Sequence, residues 1–96
     1  MRTTKQSLNI LVKHLNEITD SPLETYVENP ETGKLDAQVG NWHLDWAYGG
    51  VRLDRISDAS GAVSCPINTG YVSKPELAKI LRAFIEGIQT GRKGEL

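Results

Sequence analysis

The stretch Trp42-His43-Leu44-Asp45-Trp46-Ala47-Tyr48-Gly49-Gly50-Val51-Arg52-Leu53-Asp54-Arg55-Ile56 decides the fold. Trp42, Leu44, Trp46 and Tyr48 alternate with His43, Asp45 and Ala47, the period of two that a half-buried strand requires. Gly49-Gly50 supplies the positive φ of a tight hairpin turn, and Val51, Leu53 and Ile56 carry the apolar pattern into a second strand. A further turn at Asp58-Ala59-Ser60-Gly61 leads to Val63, Cys65 and Ile67, a third strand that Pro66 and Asn68 push toward a sheet edge. The reading is an antiparallel meander with strands at about 42–48, 51–57 and 62–67.

Charge selects between two hairpin registers. A two-residue loop at Gly49-Gly50 sets Asp45 opposite Asp54, an unfavourable pair of like charges. One extra loop residue, a glycine bulge, sets Asp45 opposite Arg55 and Leu44 opposite Ile56. The bulged register is the expectation. In either case the face carrying Trp42, Leu44 and Trp46 meets the helices, leaving His43, Asp45 and Arg52 on an open sheet face.

Helices flank the meander. Leu8, Leu11, Val12, Leu15 and Ile18 recur at helical spacing from about 4 to 19, with Lys5, Asn9, Lys13, Asn16 and Glu17 on the other side. Thr3 and Gln6 have capping-box spacing, and Ser21-Pro22 ends the helix. Ser73-Lys74-Pro75-Glu76 is a second capping box, opening an apolar stripe of Leu77, Ile80, Leu81, Phe84, Ile85 and Ile88. That helix spans about 74–90, stops at Gly91 and leaves a frayed tail at 92–96. Between the first helix and the meander, Tyr26-Val27 and Leu35-x-Ala37-x-Val39 flank a turn at 29–33, so 25–39 reads as an extra edge hairpin or an ordered loop. From Glu17 to Asp36 this stretch carries six acids and a single lysine, Lys34. The fold class is therefore α+β: a two-layer sandwich in α-β-β-β-α order, the three-stranded meander packed against two helices. Leu11, Leu15, Trp46, Leu53, Leu81 and Phe84 are expected to be buried together.

The chain has 96 residues, 39% hydrophobic and 24% charged, with a net charge of −1. That is one ordinary globular domain, residues 1–96, without the strongly basic signature of a nucleic-acid binder. No apolar run is long enough to span a membrane, and the N-terminus lacks the apolar core of a signal peptide. The lone cysteine, Cys65, cannot form an internal disulfide. Together these point to the cytoplasm.

Leu44-x-x-Ala47-Tyr48-Gly49-Gly50-x-x-Leu53-x-x-Ile56, then Ser60-Gly61, then Phe84-Ile85-x-Gly87-Ile88, resembles small uncharacterised proteins encoded by bacteriophages and prophages. The likeness covers about half of the chain, from Trp42 to Ile88, with Ala47-Tyr48-Gly49-Gly50 its most recognisable piece. It implies a bacterial host cell and no assigned activity, so no functional residue carries over.

Chemistry-bearing residues are sparse. His14 and His43 have no partner at metal-ligand spacing, and Cys65 reads as a small apolar residue. The His43-Asp45 pair has no nucleophile to join it, and no lysine follows Gly49-Gly50 as a phosphate loop needs. No catalytic, cofactor-binding or metal-ligating residue is assigned, and no enzyme is expected. His43, Asp45, Arg52 and Arg55 form the candidate interaction surface. The leading reading is a phage-type accessory protein, an interaction or inhibitor module with a protein partner, a homodimer being one form of this. The alternatives are nucleic-acid binding through Arg52, Arg55 and exposed aromatics, which the aspartates around them oppose, and small-ligand binding.

Overall fold

Leu8, Leu15, Leu53, Leu77 and Leu81 are all but removed from solvent, and they come from two helices and a strand. The core therefore lies between a helix pair and a sheet. A computed structural model describes residues 3–94. Its elements are α1 (Lys5–Ile18), β1 (Tyr26–Glu28), β2 (Leu35–Ala37), β3 (Trp42–Ala47), β4 (Gly50–Ile56), β5 (Val63–Ser64) and α2 (Lys74–Gly94). β3, β4 and β5 form the expected antiparallel meander, with β4 central. Both helices pack on one face of it, α1 on β3 and α2 on β4, as a two-layer α+β fold. The 25–39 segment does fold as a hairpin, but β1 and β2 form a two-stranded sheet of their own rather than an edge of the meander.

The hairpin register differs from both expectations. Asp45 faces Arg52, Leu44 faces Leu53, and Ala47 faces Gly50. The turn residues are Tyr48 and Gly49, at φ 53° and 72°, the two positive values of a type I′ turn. Gly50 belongs to the strand and needs no positive φ; its reason is space. A Cβ there would come within 2.9 Å of the Val72 carbonyl oxygen and 3.1 Å of Tyr71. Val72 returns to β4 and exchanges two backbone hydrogen bonds with Val51, at 2.9 and 3.0 Å. The predicted bulge is also elsewhere. Ile56 donates to the Asn41 carbonyl and accepts from Gly40 N–H, two residues against one, just ahead of β3.

Other boundaries shift for local reasons. α1 is capped by Thr4 and Ser7, not Thr3 and Gln6: each side-chain oxygen accepts the other residue's N–H, at 3.1 and 2.9 Å. It ends in a Schellman arrangement before Pro22 is reached. Asp20 sits at φ 57°, and Ser21 N–H reaches back to the Asn16 carbonyl. α2 runs through Gly91 to Gly94, since a glycine weakens a helix by about 1 kcal/mol without forbidding it. Of the predicted tail, 92–94 complete this helix, while 95 and 96 lie outside the described residues. β5 is only two residues long because Pro66 has no N–H to extend the ladder.

Of the six expected core residues, Leu15, Leu53 and Leu81 are buried, and Leu11 and Phe84 pack against them half-buried. Trp46 is not buried. It stands at the turn end of β3 under the Lys5 ammonium, 4.8 Å from the ring centroid. Trp42 takes the inner place, edge-on to Phe84 at 5.6 Å. Ile56, assigned to the helix-facing pattern, is buried on the opposite face of β4, because the ladder alternates without interruption from Leu53.

Two glycines test this account. Gly50→Ala should destabilise by about 1–3 kcal/mol through overpacking against Val72. Gly87→Ala, whose added methyl meets nothing within 4 Å, should stabilise by about 1 kcal/mol. Urea denaturation of both variants reads the difference; equal midpoints would contradict the close approach at Gly50.

Candidate functional site

Alternation along β3 and β4 assigns every candidate side chain to a face. Directly opposed residues share a face, so Trp42, Leu44, Trp46, Val51, Leu53 and Arg55 turn to the helices. His43, Asp45, Arg52 and Asp54 turn away. The four-residue candidate surface is thereby divided. Asp45 and Arg52 meet as an ion pair at 3.2 Å. Arg55 is on the other side of the sheet, its guanidinium 4.6 Å from the Trp42 ring centroid and its Nε bonded to the Gly40 carbonyl. His43 shares the face of Asp45 without bonding to it, and its Nδ1 is buried and unpartnered.

The face expected to be open is partly covered. Residues 65–71 leave β5 in an arch that returns to β4 at Val72, bringing Cys65 and Tyr71 onto the ion pair. Arg52 donates twice to Asp54, Nε at 2.7 Å and Nη2 at 3.2 Å. Its Nη2 also reaches Asp45, and its guanidinium stacks 4.6 Å from the centre of the Tyr71 ring. The Tyr71 hydroxyl donates to Asp45, and the Cys65 thiol donates to Asp54 at 3.2 Å. Asp54 is buried and Arg52 largely so.

This cluster is built to hold protons. Hydrogen bonding to Asp54 strengthens the hold of Arg52 on its charge. Burial first, then the bond to Asp54, pushes the Cys65 thiol above its ordinary 9.0. The bond to Asp45, then burial, raises the Tyr71 phenol above 10.0. At neutral pH neither group is a nucleophile. The arrangement clamps the 65–71 arch to the sheet. Among the described residues, no group of three His, Cys, Asp or Glu side chains is placed to hold a metal.

Sequence reasoning missed Tyr71 and Cys65 and underused Asp54. Arg52 and Asp54, two apart on one strand face, were a readable pair. Tyr71 is 26 positions from Asp45 and carries no local signal.

Asn16 departs most from its reading. Assigned to the outer side of α1, it is buried, and its side-chain amide serves both backbone groups of Trp42: Nδ2 donates to the carbonyl at 3.0 Å, and Oδ1 accepts the N–H at 2.8 Å. Beside this clamp a groove of about 390 Å³ runs between α1, Leu23, Thr25 and the outer edge of β3. A second, of about 450 Å³, adjoins it around Leu23 and ends at Glu17 and Asp20.

Two outcomes follow. Asn16→Ala, which strands the N–H and carbonyl of Trp42, should cost about 2 kcal/mol in urea denaturation, whereas exposed Asn9→Ala should stay within about 0.5. The raised thiol and phenol contribute stability that is complete below their ordinary values of 9.0 and 10.0 and fades as pH rises through the folded ones. Melting temperature should therefore fall as pH rises above about 9, and fall less steeply in a Cys65→Ala, Tyr71→Phe variant. Compared with known proteins, the chain matches no family model, no curated protein and no solved structure.

Proposed function

We propose that this chain is a small protein-interaction module, a phage-type accessory or inhibitor acting on a protein of the bacterial cytoplasm, with the β1–β2 hairpin as its working surface. One observation carries the reading. Tyr26 and Leu35 lie exposed on one face of this hairpin, Val27 on the other, and Val39 just beyond β2, Leu35 at 67% and Val39 at 52%. A two-stranded sheet gains little stability alone, and apolar side chains left in water on one favour a partner that covers them. Glu24, Glu28, Glu31 and Asp36 surround them, so the surface combines apolar contact with a charge that selects the partner.

The other readings draw less support. Arg52 and Arg55, the cations a nucleic acid would need, are each bonded within the fold. The grooves are open clefts rather than an enclosed pocket with convergent polar groups. No helix among the described residues is long and apolar enough to cross a membrane.

The test compares the parent with a Leu35→Ser, Val39→Ser variant. A partner captured by the parent is purified and titrated against both proteins by calorimetry. The expected result is an affinity at least about tenfold lower for the variant, the loss of two interface anchors, at an unchanged melting temperature. Equal affinity would remove the hairpin from the interface. Submicromolar oligonucleotide binding at about 150 mM salt would overturn the reading altogether.

A further inference from the structure

β3 is an edge strand whose outer side is half used. Its ladder to β4 closes at Ala47 and Gly50 and alternates, so Trp42, Leu44 and Trp46 turn their N–H and C=O groups away from β4. Asn16 satisfies the pair on Trp42. Those of Leu44 and Trp46 have no partner among the described residues. Edge strands are ordinarily guarded by proline, lysine or a bulge. Trp42–Ala47 itself contains no proline or lysine, the bulge lies ahead of it at Gly40-Asn41, Lys5 of α1 stands over Trp46, and its single charge, Asp45, is tied to Arg52 and Tyr71. The first groove opens along this edge at Leu44, and two residues in its walls hold buried polar atoms without partners, Trp42 Nε1 and His43 Nδ1.

Charge identifies the occupant. Glu17 stands in the last turn of α1 and Asp20 two residues beyond its end, where the helix dipole is already negative, and that turn holds no basic residue. Neither carboxylate has an ion-pair partner among the described residues. Both wall the second groove, which shares Asn16 and Leu23 with the first. A continuous path thus runs from unpaired backbone groups, past Lys13 in the wall of the first groove and apolar Leu23, to two carboxylates without an ion-pair partner, so the site for a cation is confined to the second groove. We propose that this path binds an extended, cationic segment of a partner protein by strand addition: its backbone pairs with Leu44 and Trp46, and a lysine or arginine reaches Glu17 and Asp20. Only an extended chain repeats donor and acceptor at the two-residue spacing of about 6.8 Å set by Leu44 and Trp46. The groove is distinct from the exposed hairpin residues and stands or falls without them.

The test uses the capped peptide Lys-Val-Thr-Val-Thr-Val-Lys, a counterpart with glutamate at both ends, and two versions of the first, N-methylated at the valines or at the threonines. Each is titrated into the ¹⁵N-labelled full chain. The lysine peptide should move the Leu44 and Trp46 amide protons downfield and saturably, the glutamate peptide should bind more weakly, and one N-methylation pattern should abolish the shift while the other spares it. Glu17→Gln with Asp20→Asn, a residue that tolerates the left-handed conformation, should weaken binding about threefold or more. The Leu35→Ser, Val39→Ser variant should bind the peptide as the parent does, which separates this site from the hairpin. No saturable shift at millimolar peptide overturns the proposal, as do equal responses to both N-methylation patterns. A peptide-free dimer by sedimentation, with Leu44 and Trp46 shifting with protein concentration, would assign the edge to a second copy and overturn it too.

Discussion

The pairing of Ala47 with Gly50 across the Tyr48-Gly49 turn sets the position of every side chain on the two long strands. A slip of one residue would exchange the faces, sending Leu53 outward and Asp54 into the helix layer. The turn imposes a left-handed conformation on an exposed tyrosine, a residue with no particular fitness for it. The Tyr48 ring stays open to solvent and touches Tyr71 edge-on at 5.5 Å, and the following glycine completes the turn. Gly50 then admits the returning chain at Val72. The register therefore rests on contacts from both ends of the 50–72 segment.

Polar satisfaction is the second constraint. In a core this small, each buried polar group must find a partner or cost about 1–3 kcal/mol. Asn16 resolves the problem where α1 crosses β3, and Asp54 with Arg52 resolves it where the arch crosses the sheet. The Asp45, Arg52, Asp54, Cys65 and Tyr71 cluster contains the residue types of a reactive centre. Its geometry gives them to one another, and the protonated thiol and phenol are part of that arrangement. Perturbed titration behaviour here marks a structural clamp, a common outcome for a self-satisfied network.

The local rules that the chain breaks lie elsewhere. Carboxylates occupy the negative end of α1, Asp20 takes a conformation better suited to glycine, the outer edge of β3 is half used, and the small hairpin exposes its apolar side chains. Of these features only the Asp20 conformation has a structural use, since it lets the Ser21 N–H close the end of α1 on the Asn16 carbonyl. Departures from local consistency without a compensating gain in stability are where functional surfaces are expected, and most of these fall within residues 17–39.

Periodicity alone determined the two helices, the three-stranded meander and most of the core, because alternation and helical spacing are written locally; it left 25–39 open between an edge hairpin and an ordered loop. It also marked the acidic character of 17–36. It could not decide the hairpin register, since weighing Asp45 against Asp54 or Arg55 assumed that Gly49-Gly50 formed the turn, whereas Gly50 was reserved for Val72, far along the chain. For the same reason His43, Asp45, Arg52 and Arg55 read as one surface and were divided between faces. Asn16 read as a solvent-facing residue, because helical phase does not reveal a strand edge that needs its amide. What only the tertiary structure decided was which polar groups meet. Such meetings depend on loop paths between residues tens of positions apart, and no local pattern encodes them.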